Sequence, residues 1–362
     1  YTTYRLKNQV FFSVLSGFLL QNSPHILIRR VKPTENDRLP VVSRPRVWYT
    51  VSHQGGDFMR TETWLKTHTH SLAGRRVAVT GPTGGLGAVL CTYLAELGAQ
   101  LILLGRSPRA MAALRRQLEH QHPGCVLEEI PVDLENMEQV RAACDRLEGA
   151  PPDMLFLAAG AYSIPRHRCS TGWDNVFQIN FVSHSYMLRR LVPAMASRPG
   201  ARVVAVGSIA HRYSASDPAD VDFSTRRAAS KVYGNSKRYL MASCWDYFAQ
   251  PEVRRTEVTL AVVHPGITFT NITAHYPKWL FALIKHPMQW IFMSRERACL
   301  SLLQGAFEET GCGEWIGPRW FDVWGLPVKR RVRSVPPEEC RRIGESAAQI
   351  MERLTAAEQK NS

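Results

Sequence analysis

A tyrosine and a lysine stand four residues apart in Tyr233-Gly-Asn-Ser-Lys237. On a helix that spacing puts both side chains on one face. A free phenol titrates near pH ~10. An ammonium beside it favours the phenolate and draws that value down toward working pH. A phenol tuned in this way can give or take a proton as hydride adds to or leaves a carbon. The spacing is common on solvated helix faces, so it needs companions before it carries meaning.

The first companion is the turn Thr80-Gly81-Pro82-Thr83-Gly84-Gly85-Leu86-Gly87, which lies between an apolar run and a segment of helical spacing. Glycines there let the backbone approach a pyrophosphate, and the helix N-terminus offers free N–H groups and the positive end of its dipole. The second is Gly105-Arg106-Ser107, at the end of the next apolar run. NAD enzymes carry an acid there for the ribose 2′-hydroxyl. This chain has Arg106, whose guanidinium suits a 2′-phosphate, so NADP(H) is preferred over NAD(H).

These residues need a frame. Val77–Thr80, Leu101–Leu104, Cys125–Val132, Met154–Leu157, Val203–Val206 and Val258–Val263 read as strands. Most are nearly continuous apolar runs, the mark of strands buried on both faces of a parallel sheet. Helical stretches fall at Leu86–Leu97 and around 136–148, 173–197 and 228–248. Gly98 sits where a helix ends, and Ser107-Pro108 where one begins. Strands alternating with helices predict a doubly wound α/β fold, mainly parallel, with helices on both faces.

With these features in order, the chain resembles the short-chain dehydrogenase/reductase family in its single-domain, NADP(H)-dependent branch, over about residues 74–325. The resemblance implies a Rossmann fold. It places the family's cofactor turn on Gly81, Thr83, Gly85, Leu86 and Gly87, and an adenine-side Asp-Leu on Asp133 and Leu134. The Asn-Asn-Ala-Gly element becomes Leu157-Ala158-Ala159-Gly160, with both asparagines replaced. Pro265, Gly266 and Ile267 match the nicotinamide loop, and Thr270 the family's threonine. Asn180, Ser208, Tyr233 and Lys237 match the catalytic four. The resemblance gives Ser208 the substrate oxygen, Tyr233 the proton, Lys237 the ribose hydroxyls and the acidity of the phenol, and Asn180 a water linking Lys237 to solvent. Two departures stand out: Gly207 replaces a frequent serine, and the Ser208-to-Tyr233 gap is longer than usual. Single-domain members are commonly dimers or tetramers, so a homo-oligomer is expected on this ground alone.

The rest of the chain bounds the reading. Its 362 residues fit one large domain with extensions, and the net charge of +14 comes without a nucleic-acid-binding signature. Residues 1–58 hold eight Lys/Arg and three Asp/Glu, so +5 of that charge lies there. Val10–Leu20 is a largely apolar stretch, residues 21–58 show neither strand nor helix period, and 1–58 stand as an N-terminal extension of doubtful status. Gly55-Gly56-Asp57 can be encoded by a ribosome-binding sequence just ahead of Met59. Either Met59 is the natural start or the extension is genuine. Eight cysteines without a Cys-x-x-Cys suggest reduced thiols in a cytoplasmic protein, with neither a disulfide framework nor a metal site. No run of 18 apolar residues is present to cross a membrane. His211, His264 and His275 read as structural or rim residues.

The domain is drawn as 59–325, with a substrate lid at about 268–295 and a tail at 326–362 that carries an amphipathic helix. The lid is rich in Trp279, Phe281, Trp290 and Phe292. It fits a cover over a hydrophobic steroid, retinoid or lipid-like substrate, a peripheral membrane contact through 276–293, or ordinary packing. The function expected is interconversion of a carbonyl and an alcohol. A non-enzymatic NADP(H) sensor and a nucleotide-sugar epimerase or dehydratase stay as alternatives. The four intact catalytic positions argue against the first, and the turn spacing against the second.

Overall fold

A computed structural model describes residues 61–267 and 293–361. The N-terminal extension, most of the lid segment, Thr270 and His275 lie outside the described residues. Eight strands form one sheet in the order β3-β2-β1-β4-β5-β6-β7-β8. The first seven run parallel, and β8 returns antiparallel to β7. The strands are β1 (Arg76–Thr80), β2 (Gln100–Gly105), β3 (Leu127–Pro131), β4 (Met154–Leu157), β5 (Arg202–Val206), β6 (Thr259–Val263), β7 (Glu314–Trp320) and β8 (Trp324–Arg331). The first six are those expected from the apolar runs. The order reverses between β1 and β4, and the crevice at such a reversal is where doubly wound sheets bind ligands.

Helices cover both faces. On one side α1 (Thr61–His68), α2 (Gly85–Glu96), α3 (Pro108–Gln121) and α9 (Arg295–Phe307) pack against Val77, Val79, Leu101, Leu103 and Phe156. On the other lie α4 (Met137–Gly149), α6 (Ser183–Met195), α7 (Ala229–Ala249) and α10 (Pro337–Asn361). Each fully buried Leu or Val in these layers stabilises by about 1.5–3 kcal/mol. The caps follow sequence: Ser107 Oγ accepts from Ala110 N at 3.3 Å, and Asn136 Oδ1 accepts from Glu138 N at 3.0 Å.

Two elements matter for the site. The short helix α5 (Asn175–Phe177) passes through a π-helical turn (Gln178–Val182) into α6, and Asn180 sits mid-turn. Such turns break the i→i−4 ladder and re-aim side chains. At the C-terminus, β8 runs across residue 325, where the sequence reading starts the tail. Helix α10 follows and lies on α7 of its own chain. Arg238 and Glu339 form an ion pair there, and Cys340 Sγ donates to the Ala242 carbonyl at 3.2 Å. Short α8 (Pro251–Arg254) joins α7 to β6.

Candidate active site

The glycine turn is shaped by backbone contact. Gly81 takes φ +67°, and a Cβ there would sit 2.8 Å from Ala159 Cα. A Cβ at Gly87 would lie 2.2 Å from the Gly81 carbonyl oxygen, so only glycine lets the helix begin this close to the turn. Gly84 N donates to Gly81 O at 3.1 Å. No side chain caps α2 at Gly84, and Thr83 and Gly84 are exposed. The first N–H groups of α2, from Gly85, Leu86 and Gly87, therefore keep the anion-binding character of a bare helix end. This cradle fits a dinucleotide phosphate. Arg106 stands exposed at the end of β2, beside the turn, and bonds to no other described residue.

Thr80 organises the neighbouring strand end. Its hydroxyl accepts from Ala158 N (2.9 Å) and Ala159 N (3.0 Å) and lies 3.2 Å from the Phe156 carbonyl. Where the two asparagines are replaced, a threonine one strand away thus holds the backbone of Ala158 and Ala159. Nearby, Asp133 Oδ1 accepts from Glu135 N at 3.0 Å, and the Leu134 carbonyl accepts from Ser183 Oγ at 2.6 Å. These bonds fix the loop that follows β3.

The four predicted catalytic residues converge. Lys237 Nζ donates to the Val206 carbonyl, the last of β5, at 2.8 Å. Tyr233, one turn earlier on α7, lies beside Ser208, two residues beyond that carbonyl, and the serine hydroxyl favours its phenolate. Asn180 Nδ2 donates to Ala161 O (3.0 Å) and to Ser236 Oγ (2.9 Å), while its Oδ1 accepts from Ala161 N at 2.7 Å. Both amide hydrogens are thereby committed to protein partners. Gly160 closes the cluster: a Cβ there would stand 3.4 Å from both Asn180 Oδ1 and Lys237 Nζ. Tyr162, 37% exposed, meets the Tyr233 ring edge-on with centroids 5.2 Å apart.

The electrostatics differ in one respect from the sequence expectation. The phenol of Tyr233 is pushed up, because burial penalises the phenolate more than the Ser208 hydrogen bond favours it. The lysine is not among the causes of this shift, so the depression expected from it is not seen. Burial also pushes the Lys237 ammonium down to about 8.

Gly234 and His184 help hold this site and escaped the sequence reading, while His211 and His264, read as structural or rim residues, are buried in its frame. Gly234 lets the turn after Ser208 lie on α7, since a Cβ there would be 2.3 Å from the Ala210 carbonyl oxygen. His184 Nδ1 faces the Asn180 carbonyl at 3.3 Å and its Nε2 faces Thr80 Oγ1 at 3.0 Å. Both bonds are long-range or backbone-directed and leave no spacing signal. His211 and His264 are fully buried, and Trp315 lies between them: stacked on His264 (centroids 4.8 Å, 13°) and edge-on to His211 (5.3 Å, 89°). Gly266, at φ +80°, is packed against Pro318 and the Val323 carbonyl, which ties the Pro265-Gly266-Ile267 loop to the β7–β8 hairpin.

Glu135, His167 and Cys169 also come together, with ligand atoms within 4.8 Å of one another. Asn175 Nδ2 donates to Pro165 O (3.0 Å), which orients the amide, and to His167 Nδ1 (3.1 Å). His167 therefore carries its proton on Nε2 and donates it to Glu135 at 2.8 Å. A metal would need that same nitrogen bare. Burial, reinforced by Glu135, Asp174 and Asp133, holds the Cys169 thiol up at about 11. The group reads as a hydrogen-bonded pair beside a protonated thiol.

With this geometry in place, relatives give it a class. The short chain dehydrogenase family model matches residues 75–280, more than half of the 362. The chain belongs to the short-chain dehydrogenase/reductase family. It is 34% identical over 154 residues to the short chain dehydrogenase rstn4 of Aspergillus nomiae, covering 40% of this chain and 42% of that one. It is 27% identical to mouse polyprenol dehydrogenase (64% and 71% covered) and 29% to human retinol dehydrogenase 14 (56% and 64%). The chain thus spans less than two thirds of the length of two of these three curated relatives. Among solved structures, an uncharacterized protein from Mycobacterium Paratuberculosis superposes with a TM-score of 0.60 at 23% identity, covering 79% of this chain and 96% of that one. A 3-oxoacyl (acyl-carrier-protein) reductase from Agrobacterium tumefaciens C58 with NADP bound superposes at 0.51 and 22% identity, covering 70% and 92%. These two show the shared fold.

Among the described residues, no helix is long and apolar enough to cross a membrane.

Proposed function

We propose that this chain reduces the carbonyl of a hydrophobic small molecule with NADPH, Tyr233 delivering the proton. The observation that carries the reading is the convergence of Tyr233, Ser208, Lys237 and Asn180 on the end of β5, across from the bare N-terminus of α2. When bound, the nicotinamide supplies hydride; the protein supplies position and charge. Gly81, Thr83 and the first N–H groups of α2 would hold the pyrophosphate. Arg106, exposed and unpaired among the described residues, would hold the 2′-phosphate. Asp133, Leu134, Ala159 and Gly160 would line the adenine and ribose side, and Pro265, Gly266 and Ile267 the nicotinamide side.

Ser208 offers its hydroxyl to the substrate oxygen and holds it against the phenol. Tyr233 gives its proton to that oxygen as the alkoxide forms. A phenol kept protonated by burial is suited to the reductive direction. Lys237, one turn from Tyr233 and anchored on the Val206 carbonyl, would offer positive charge to the phenolate left behind and would hold the ribose hydroxyls. Asn180 fixes the 160–161 loop against α7. A hydrophobic substrate is supported by the exposed aromatic Tyr162 at the mouth and by the polyprenol and retinol named in two relatives.

The test is NADPH oxidation across ketosteroids, retinal, quinones, long-chain and short aliphatic ketones, repeated with NADH. Turnover with an apolar carbonyl, and at least about tenfold better kcat/KM with NADPH, is expected. Activity confined to small polar substrates, or equal use of NADH, would overturn the corresponding half of the reading.

A further inference from the structure

The turn that carries Ser208 is gripped from behind. Ser208 opens the 3₁₀ segment Ile209–Tyr213. Its carbonyl lies 3.1 Å from the His211 N–H and 2.7 Å from His211 Nδ1. A carbonyl only accepts, so Nδ1 carries the imidazole proton. Nε2 is then an acceptor, and it takes the hydroxyl proton of Ser334 at 2.6 Å. His211 is fully buried and stays neutral, its protonation disfavoured by burial. This leaves a single tautomer with both nitrogens used.

Ser334 belongs to the segment between β8 and α10, beyond the 75–280 family match. That segment is pinned in turn. Arg238, the residue after Lys237, donates to the Ser334 carbonyl (2.7 Å), to the His211 carbonyl (3.0 Å) and to Glu339 on α10 (2.7 Å). Trp315 of β7 closes the other side of the His211 ring.

We propose that His211, held by Ser334, is a positioning residue for the proton-transfer site: it sets the peptide plane and side-chain direction of Ser208, so the chain after β8 completes the active site. The inference rests on the role given above to Ser208. His211 and Ser334 do not touch substrate or cofactor. They act on a serine whose Oγ is otherwise held, besides Tyr233, by the Ala210 N–H at 3.2 Å, and whose carbonyl otherwise keeps only the backbone N–H of His211 at 3.1 Å. Without the imidazole that carbonyl loses the shorter of its two bonds, the Ser208 peptide is held more loosely, and its hydroxyl spends less time at the Tyr233 phenol.

The experiment measures kcat, KM, NADPH affinity by fluorescence, and Tm for His211→Ala, Ser208→Ala and the double variant, using the carbonyl found in the panel. Expected for His211→Ala are a roughly 10- to 100-fold fall in kcat, NADPH affinity within twofold of the parent, and no further loss when Ser208→Ala is already present. Non-additivity is the signature of two residues acting as one unit. Losses that multiply in the double variant, or an unchanged kcat in His211→Ala, would overturn the positioning role while leaving the catalytic serine standing. An unchanged kcat in Ser208→Ala would overturn both readings. Ser334→Ala serves if His211→Ala does not fold. It should lower kcat several-fold, with Ser334→Thr restoring it; equal rates in both would again overturn the inference.

Discussion

The turn at Gly81–Gly87 and the turn after Ser208 both follow a parallel strand and both open on the same edge of the sheet, yet they are held by different means. The first is shaped by missing atoms: Gly81 and Gly87 permit backbone approaches that any Cβ would block. The second is shaped by side chains that come from far along the sequence, with His211 bound to Ser334, Trp315 wedged beside it and Arg238 spanning to α10. A backbone cradle suits a ligand recognised by its phosphates. A side-chain frame suits a hydroxyl that has to meet a phenol at hydrogen-bond distance.

If this contrast is right, the cradle fails abruptly on small changes. Gly87→Ala puts a methyl 2.2 Å from the Gly81 oxygen, with backbone on both sides. NADPH affinity should fall by about 100-fold or more, from overpacking costs of about 1–3 kcal/mol together with a displaced helix end. Isothermal titration against NADPH checks it, and near-parental affinity would show that the turn tolerates what the geometry forbids.

The side-chain frame should instead fail in acid. Burial lowers His184 and His264 to about 3 and His211 to about 4 from 6.5. The unfolded chain binds these protons more readily, so their contribution is complete above pH 6.5 and is lost as pH falls toward about 4. At pH 5 each costs about 2 kcal/mol, several kcal/mol together. Urea unfolding followed from pH 7.5 to 5 should show that loss. His211→Gln, which cannot take up the proton, should flatten the curve by roughly one third.

The smallest effect is expected at the cradle's rim. Arg106→Ala removes a charge-assisted contact of about 1.5–3 kcal/mol. It should cost at least about tenfold in KM for NADPH and leave NADH use unchanged. A loss equal for both cofactors would mean that Arg106 does not read the 2′-phosphate.

The same contrast explains what could be read without coordinates. The cradle and six strands were legible because each is local: glycines in one turn, apolar residues in unbroken runs, Arg106 at a strand end. Tyr233 and Lys237 were legible through helical spacing. Strands β7 and β8 were missed, since Glu314–Trp320 carries a proline and β8 carries Gly325 and Pro327 and ends in three charged residues. The supports at Thr80, His184, His211 and Gly234 were illegible in role, because the partners of the first three lie 78 to 123 residues away and Gly234 meets a backbone carbonyl. The phenol's acidity was misjudged for the same reason: a four-residue spacing shows the lysine but hides the depth of burial.

The most direct measurement is a pair of titrations on Tyr233→Phe, which deletes one oxygen from a half-buried ring. NADPH binding followed by fluorescence should stay within about twofold of the parent, while carbonyl reduction should fall by at least about a thousandfold, the upper part of the range for losing a general acid. Turnover within tenfold of the parent, with cofactor bound normally, would contradict the assignment of the proton to this phenol.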